Sequence, residues 1–442
     1  MATSQAVTPV PDSGAIILEA PTREERIAPL AVGSWALYDF ANTIFSLNII
    51  SIHFPQFIVT DLKLADAWYA YPMSASLLIV ALISPLLGSL SDREGGKRMP
   101  WLIATTLLCV FMTVAMGLTS DVMLVVAALI IANIGYQTSL VFYDALLPSV
   151  SNTLNWGKVS GLGVGLGYVG AIAGGFAIRP FMPQGSSHQA AFIPTAILFL
   201  IFAIPCFLFV RERRSRIERL IATSPQRVSW RNSVAQTWHT LGEARRVPGL
   251  FIFLVANFFY SDALNTVIVA MGVYATQVVG FADPLEVLTP AIITAVIGSL
   301  LAGLLTDRIT ARWSVVISLC LWVAVFAAAI LVTDKFSFQF IIAPLAGIAL
   351  GGTWTAARTM MVELSPPARL GEFMGIYNLT GKFSAVLGPA LWGTTLLLLN
   401  PQVHGYFAYQ VAIGTLLLMV LLGLGLHLRT PNIRRVQGAR VP

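Results

Sequence analysis

The sequence predicts an all-α membrane protein of twelve transmembrane helices in two pseudo-symmetric six-helix bundles, and three observations lead there. The chain is 56% hydrophobic and only 11% charged, against about a quarter charged in an average soluble domain. It holds twelve apolar runs of about twenty residues or more, the length that crosses roughly 30 Å of hydrocarbon. Its halves also repeat one another at nearly constant spacing, which marks a duplicated unit.

The runs lie near 27–59, 66–90, 99–119, 122–149, 157–181 and 190–210, and then near 248–279, 285–306, 312–332, 336–362, 371–397 and 404–428. Residues 1–26 are rich in Pro, Thr and Ser and are expected to form a disordered cytoplasmic tail without a cleaved signal peptide. The N-terminal bundle then covers 27–210, a cytoplasmic linker 211–247, the C-terminal bundle 248–428 and a second tail 429–442. Within the linker Trp230, Val234, Trp238 and Leu241 recur at helical spacing, with Arg227, Arg231 and Arg245 elsewhere on the turn. That pattern reads as an amphipathic helix on the inner leaflet or as a plain tether.

Charge gives the orientation. Only Lys63, Arg179 and Lys335 fall in outer loops, and Arg358 and Lys382 fall within spans. With both termini cytoplasmic, the other 22 of the 27 Lys and Arg residues lie inside, as the positive-inside rule asks, and a bacterial inner membrane is the expected location. The net charge of +6 is thereby a topology device, and nucleic acid is not needed to explain it. Cys109, Cys206 and Cys320 sit in apolar runs without metal-like spacing, which argues against disulfides and zinc. No nucleotide-binding loop or nucleophile arrangement occurs, so an enzyme and a cofactor are not expected. The expected partners are the lipid bilayer, a small-molecule substrate and a coupling proton, with the chain a monomer.

Three registers align the halves. Asp39, Asn42 and Thr43 of span 1 return as Asp262, Asn265 and Thr266 of span 7, offset by 223. Gly88, Asp92, Arg93 and Lys97 after span 2 return as Gly303, Asp307, Arg308 and Arg312 after span 8, offset by 215. Gly161, Gly167 and Gly174 of span 5 return as Gly375, Gly381 and Gly388 of span 11, offset by 214.

Ionisable groups are costly at membrane depth and mark a cavity or a partner. Arg26 and Arg246 are the last charges before Asp39 and Asp262, thirteen and sixteen residues earlier, or about 20 and 24 Å of helix. Both acids are therefore expected near mid-depth, lining a central cavity as substrate or proton ligands with Asn42, Thr43, Asn265 and Thr266. Interhelical hydrogen bonding by the Asn and Thr is the plainer alternative. Lys382 lies ten or more residues inside span 11, about 15 to 20 Å deep, with Asn378 one turn away. It is read as binding a substrate carboxylate or exchanging ion pairs with Asp39 or Asp262, against a purely structural pair. Arg358, which equals Asp144 plus 214, is read as an anion ligand, a latch partner for Asp307 or a snorkelling arginine. Trp354, one turn earlier, stacks on substrate or fills the bundle.

Gly88-Ser-Leu-Ser-Asp92-Arg93, echoed as Gly303-Leu-Leu-Thr-Asp307-Arg308, resembles the signature of the major facilitator superfamily, and the resemblance covers nearly the whole chain. More narrowly, Trp35-Ala-Leu-Tyr-Asp-Phe-Ala-Asn42, Val141-Phe-Tyr-Asp-Ala-Leu-Leu-Pro148, Gly371-Glu-Phe-Met-Gly-Ile-Tyr377 and Gly381-Lys-Phe-Ser-Ala-Val-Leu-Gly-Pro389 are similar to its vacuole-effluxer (Atg22-like) branch. That resemblance implies secondary transport by alternating access and, from the fungal members, amino-acid efflux. It also implies a gate. Asp92 and Asp307 would meet the free amides at the starts of spans 11 and 5, and Arg93 would bridge to Asp144 low on span 4. Gly88, Lys97, Gly303 and Arg308 complete the gating set; a charged loop that only sets topology is the plainer reading. The second copy departs from the signature, since Ile309 to Ala311 hold no glycine. Competing functions are a proton-coupled uptake permease or drug exporter and, from another class, a transporter-like sensor or scaffold, against which the short linker argues.

Overall fold

The computed structural model describes residues 17–18, 28–64, 67–93, 97–183, 185–212, 245, 247–281, 285–366, 369–399, 405–432 and 434–435. Among them are twelve helices long and apolar enough to cross a membrane. The first six are span 1 (Pro29–Asp61), span 2 (Ala67–Arg93), span 3 (Met99–Leu118), span 4 (Val122–Ala145), span 5 (Trp156–Ile178) and span 6 (Phe192–Phe209). The second six are span 7 (Leu250–Tyr274), span 8 (Leu285–Arg308), span 9 (Ala311–Leu331), span 10 (Lys335–Leu364), span 11 (Leu370–Leu399) and span 12 (Tyr406–His427). Nearly all of the N-terminal tail and of the linker, with its expected amphipathic helix, lies outside the described residues.

Local chemistry sets several helix starts. Pro29 and Pro100 stand in the first turns of spans 1 and 3, where a missing N–H costs nothing. Asp121 caps span 4 by accepting from Met123 N at 2.9 Å, and Asp334 caps span 10 by accepting from Ser337 N at 2.8 Å, each cap contributing about 1 kcal/mol. The ends away from the linker depart from α geometry. Ser46–His53 and Phe57–Asp61 of span 1, Ala275–Val279 after span 7 and Phe338–Ile342 of span 10 are all π-helical, a wider turn found most often near functional sites.

Side chains that face out are apolar, as lipid requires; Leu331, Leu397 and Leu398 are each more than 70% exposed. Inside the N-terminal bundle Trp35 stacks on Tyr143 at 4.5 Å and Tyr38 on Tyr143 at 5.0 Å. These buried rings pin span 1 to span 4, and the Tyr38 hydroxyl bonds Thr106 Oγ1 at 2.6 Å.

The halves meet at the linker end through two glycine contacts. A Cβ on Gly88 would lie 2.2 Å from Gly371 O, and one on Gly303 would lie 2.6 Å from Gly157 O. Spans 2 and 11, and spans 8 and 5, touch backbone to backbone there, which only small residues allow. The two contacts are copies of one another, because Gly371 stands 214 residues after Gly157 and Gly303 stands 215 after Gly88.

Candidate functional site

A cavity of about 410 Å³ lies between the bundles, lined by spans 1, 4 and 5 on one side and 7, 10 and 11 on the other. That is within the range of roughly 300–1,000 Å³ usual for small-molecule sites. Asp39, Asn42, Thr43, Asn265, Trp354, Arg358, Asn378 and Lys382, all expected at the site, line it together with Asp144.

Arg358 organises one end of this cavity. Its Nη1 lies 3.1 Å from Asp39 Oδ2 and its Nε 3.0 Å from Asp144 Oδ1, with all three side chains largely buried. The guanidinium also sits 5.7 Å from the Trp35 ring and 5.4 Å from the Tyr143 ring, within cation–π range. Trp35 is fixed for this by donating from Nε1 to Tyr143 O at 3.1 Å. Asp39 is held further by Asn42 Nδ2 at 3.1 Å, and Thr43 Oγ1 turns back to Asp39 O at 2.8 Å. Arg358 thus pairs with Asp39 and Asp144 rather than with Asp307.

Lys382 lies beyond ion-pairing distance of this triad, though near enough to interact with the charge of Asp144. Among the described residues no carboxylate comes within ion-pairing distance of it, and neither Asp39 nor Asp262 is its partner. Asn378, one turn before it, lines the cavity too, donating from Nδ2 to Met374 O at 3.1 Å and hydrogen-bonding Asp144. The site therefore offers a cation and an amide to a solute beside an internally paired triad.

Two expected residues lie elsewhere. Asp262 is fully buried against span 11, its Oδ1 accepting from Gly388 N at 2.7 Å and its Oδ2 without a partner. Thr266 bonds Asp262 O at 2.8 Å and faces the same glycine, so neither lines the cavity. The reason is rotational. At about 100° per residue, Asn257, Ser261 and Asn265 form the face that lines the cavity, and Asp262 and Thr266 lie roughly a quarter turn or more beyond it. Sequence reasoning missed Asn257 and Ser261, although their spacing of eight and four residues from Asn265 was a visible signal. It also missed Tyr136, Tyr168 and Tyr377, which no polar pattern marked.

The two halves pack their cores in different registers. In the N-terminal bundle Gly163 and Gly167 of span 5 lie against Asp39 and Thr43, whereas Asp262 and Thr266 meet Gly388 of span 11. Gly388 is the counterpart of Gly174, so the second contact is displaced by seven or more residues. Gly381, the counterpart of Gly167, has nothing within 4 Å of an added Cβ and borders the cavity. Span 11 has parted from span 7 at that level, and the cavity occupies the gap.

At the linker end both acids of the loop signature cap a helix of the opposite half. Asp92 accepts from Gly371 N at 3.1 Å and Glu372 N at 2.9 Å, and Asp307 accepts from Gly157 N at 2.8 Å and Lys158 N at 2.9 Å. These are charge-assisted bonds at positive helix ends. The expected bridge from Arg93 to Asp144 has a different form. Asp144 faces the cavity and is taken by Arg358, and the Arg93 side chain lies outside the described residues. Arg98, which sequence reasoning passed over, instead pairs with Asp92 at 3.0 Å and donates to Ala145 O at 3.4 Å, tying the latch to the end of span 4. Lys97 and Arg308 are exposed.

Twelve spans in two halves around a polar cavity define a transporter of the major facilitator superfamily, a multi-pass integral membrane protein and not an enzyme. The family described as vacuole effluxer Atg22 like matches residues 64–431, and the chain belongs to it. The MFS-type transporter YxiO of Bacillus subtilis (strain 168) is 27% identical over 405 residues, which are 85% of this chain and 90% of that protein. Autophagy-related protein 22 of Coccidioides immitis (strain RS) is 26% identical over 305 residues, 63% of this chain but 49% of that protein, so the match spans about half of the fungal relative. Among solved structures the human organic anion transporter MFSD10 (TETRAN) has a TM-score of 0.71 at 14% identity, covering 92% of this chain and 100% of that one. A likeness at that identity is one of fold.

Proposed function

We propose that the chain exports a small polar solute carrying a carboxylate, an amino acid or similar metabolite, by proton-coupled alternating access. It works as a monomer in a bacterial inner membrane with both termini in the cytoplasm. The observation that carries this reading is Lys382, a cation lining the cavity at depth with no carboxylate within salt-bridge distance among the described residues, its nearest described counter-charge being Asp144, which Arg358 already holds at 3.0 Å. A buried ammonium needs a counter-charge or water, and a substrate carboxylate supplies one, with Asn378 beside it, while an ammonium on the solute would meet the net negative charge of the Asp39–Asp144–Arg358 triad. The family's description as effluxers supports the direction.

Alternating access follows from the interface. Both latches close the linker end, so the solute exchanges with the opposite face in this state. A proton on Asp39 or Asp144 weakens the hold of Arg358 on the N-terminal bundle and lets the halves rock. The test is a thermal-shift screen of the purified protein against amino acids, peptides, sugars and cationic drugs, since a bound ligand stabilises by mass action. Stabilisation by a carboxylate solute, lost in Lys382→Ala, is expected. A shift by cationic drugs alone, or a hit that Lys382→Ala leaves intact, overturns the reading.

A further inference from the structure

A second cavity, of about 350 Å³, opens on the outside of the C-terminal bundle between spans 8, 9 and 10. Its floor is formed where two glycines let the spans pack closely. A Cβ on Gly298 would fall 2.4 Å from Ile348 O, and one on Gly352 would fall 2.6 Å from Ser318 Oγ. Leu301 and Ile317 form its walls and are 54% and 41% exposed, so the groove faces the hydrocarbon rather than the central cavity. Apart from Ser318, whose hydroxyl donates to Ser314 O at 3.0 Å, it is apolar along its length except at one end.

That end carries Arg308, in the last turn of span 8 at the linker side. Arg308 is exposed, and among the described residues no carboxylate pairs with it. The neighbouring Asp307 is turned the other way, onto Gly157 N and Lys158 N of span 5. On span 9, Trp313 stands one turn before Ile317 and so on the same helical face; it is 42% exposed. An indole at that height is the side chain that settles among lipid headgroups, and a guanidinium is the one that matches a phosphate with paired donors.

We propose that this groove binds one anionic phospholipid of the linker-side leaflet, with its phosphate on Arg308, its glycerol region beside Trp313 and one acyl chain along the glycine trough. Charge complementarity at the rim selects the headgroup, and the trough selects a chain over a bare ion. The lipid then holds the outer face of span 8 while span 5 holds the inner face through Asp307. This proposal is independent of which solute the central cavity carries.

Native mass spectrometry of the full chain, released from bilayers of equal phosphatidylglycerol and phosphatidylcholine, tests it. One phosphatidylglycerol is expected to be retained in preference by about fivefold, the effect of one basic side chain at an anionic surface. Arg308→Gln should bring that preference to near unity, while Lys158→Gln, which removes another basic side chain at the same end, should leave it unchanged. Leu301→Trp fills the trough from an exposed position and should lower retention of both lipids. If Arg308→Gln does not elute as a single species, Leu301→Trp decides the matter. Equal retention of the two lipids by the unmodified chain, unchanged retention in either groove variant, or a fatty acid or second copy of the chain in the lipid's place overturns the proposal.

Discussion

Arg358 of the C-terminal bundle stands 3.1 Å from Asp39 of the N-terminal bundle, and the same guanidinium reaches Asp144 at 3.0 Å. One side chain on span 10 therefore ties spans 1 and 4 across the interface between the bundles. The three groups carry a net charge of −1 when all are ionised. A single proton would neutralise the triad, which is why the proposed proton coupling is placed there.

Removing the cation is expected to be severe. Arg358→Gln leaves two buried carboxylates facing one another, and breaking a buried pair in this way costs about 3–5 kcal/mol. Transport into proteoliposomes should vanish and the melting temperature should fall. Arg358→Lys keeps the charge but cannot engage two acids with a planar fork, so it should recover stability more than flux. Unchanged flux in Arg358→Gln would remove the triad from the transport cycle.

The latches should both hold the linker end closed. Asp92→Asn and Asp307→Asn each weaken two bonds to helix-start amides, an effect of about 1–2 kcal/mol. Asp92 also pairs with Arg98 at 3.0 Å, and its neutralisation weakens that pair while Arg98 keeps its bond to Ala145 O. Spin labels on spans 2 and 11 at the linker end should report a larger open population for Asp92→Asn than for the unmodified chain, and labels on spans 5 and 8 should do so for Asp307→Asn. Equal distance distributions in both variants and the unmodified chain would show that the latches do not set the conformation.

A glycine pair offers a steric version of the same test. Gly88→Ala places a Cβ 2.2 Å from Gly371 O, and backbone cannot step aside as a flexible side chain can. Overpacking of this kind costs about 1–3 kcal/mol, and it should part spans 2 and 11. Gly381→Ala, with nothing within 4 Å, is the control for melting temperature. Equal melting of the two variants would mean that spans 2 and 11 adjust without strain.

The spans and the acids of the linker-end loops were legible in the sequence for a physical reason. Hydropathy reports length against a bilayer of known thickness, and an acid repeated before a helix start reports unmet amides. Depth was legible too, since Lys382 could be counted inward from Arg369 and Glu372. Rotation was not. A repeat fixes which residue follows which, but Asp39 and Asp262 are turned to different neighbours because span 11 packs on span 7 at Gly388 while span 5 packs on span 1 at Gly163 and Gly167. Nor did the loop, read for a bridge from Arg93 to Asp144, reveal that Arg98, five residues on, joins Asp92 to the end of span 4.

That difference in rotation gives the sharpest test of the site. The offset of 223 sets Asp262 and Asn265 on an equal footing, yet only Asn265 borders the cavity. Asp262→Asn keeps an oxygen to accept from Gly388 N and should leave solute affinity within about twofold, a few tenths of a kcal/mol. Asn265→Ala removes a cavity amide and should weaken binding about tenfold, near the 1.4 kcal/mol expected for losing a hydrogen bond to a charged or polar ligand. Calorimetric titration with the solute found by thermal shift measures both. If Asp262→Asn abolishes binding while Asn265→Ala does not, the solute reaches the space between spans 7 and 11, and the cavity between the bundles is only its antechamber.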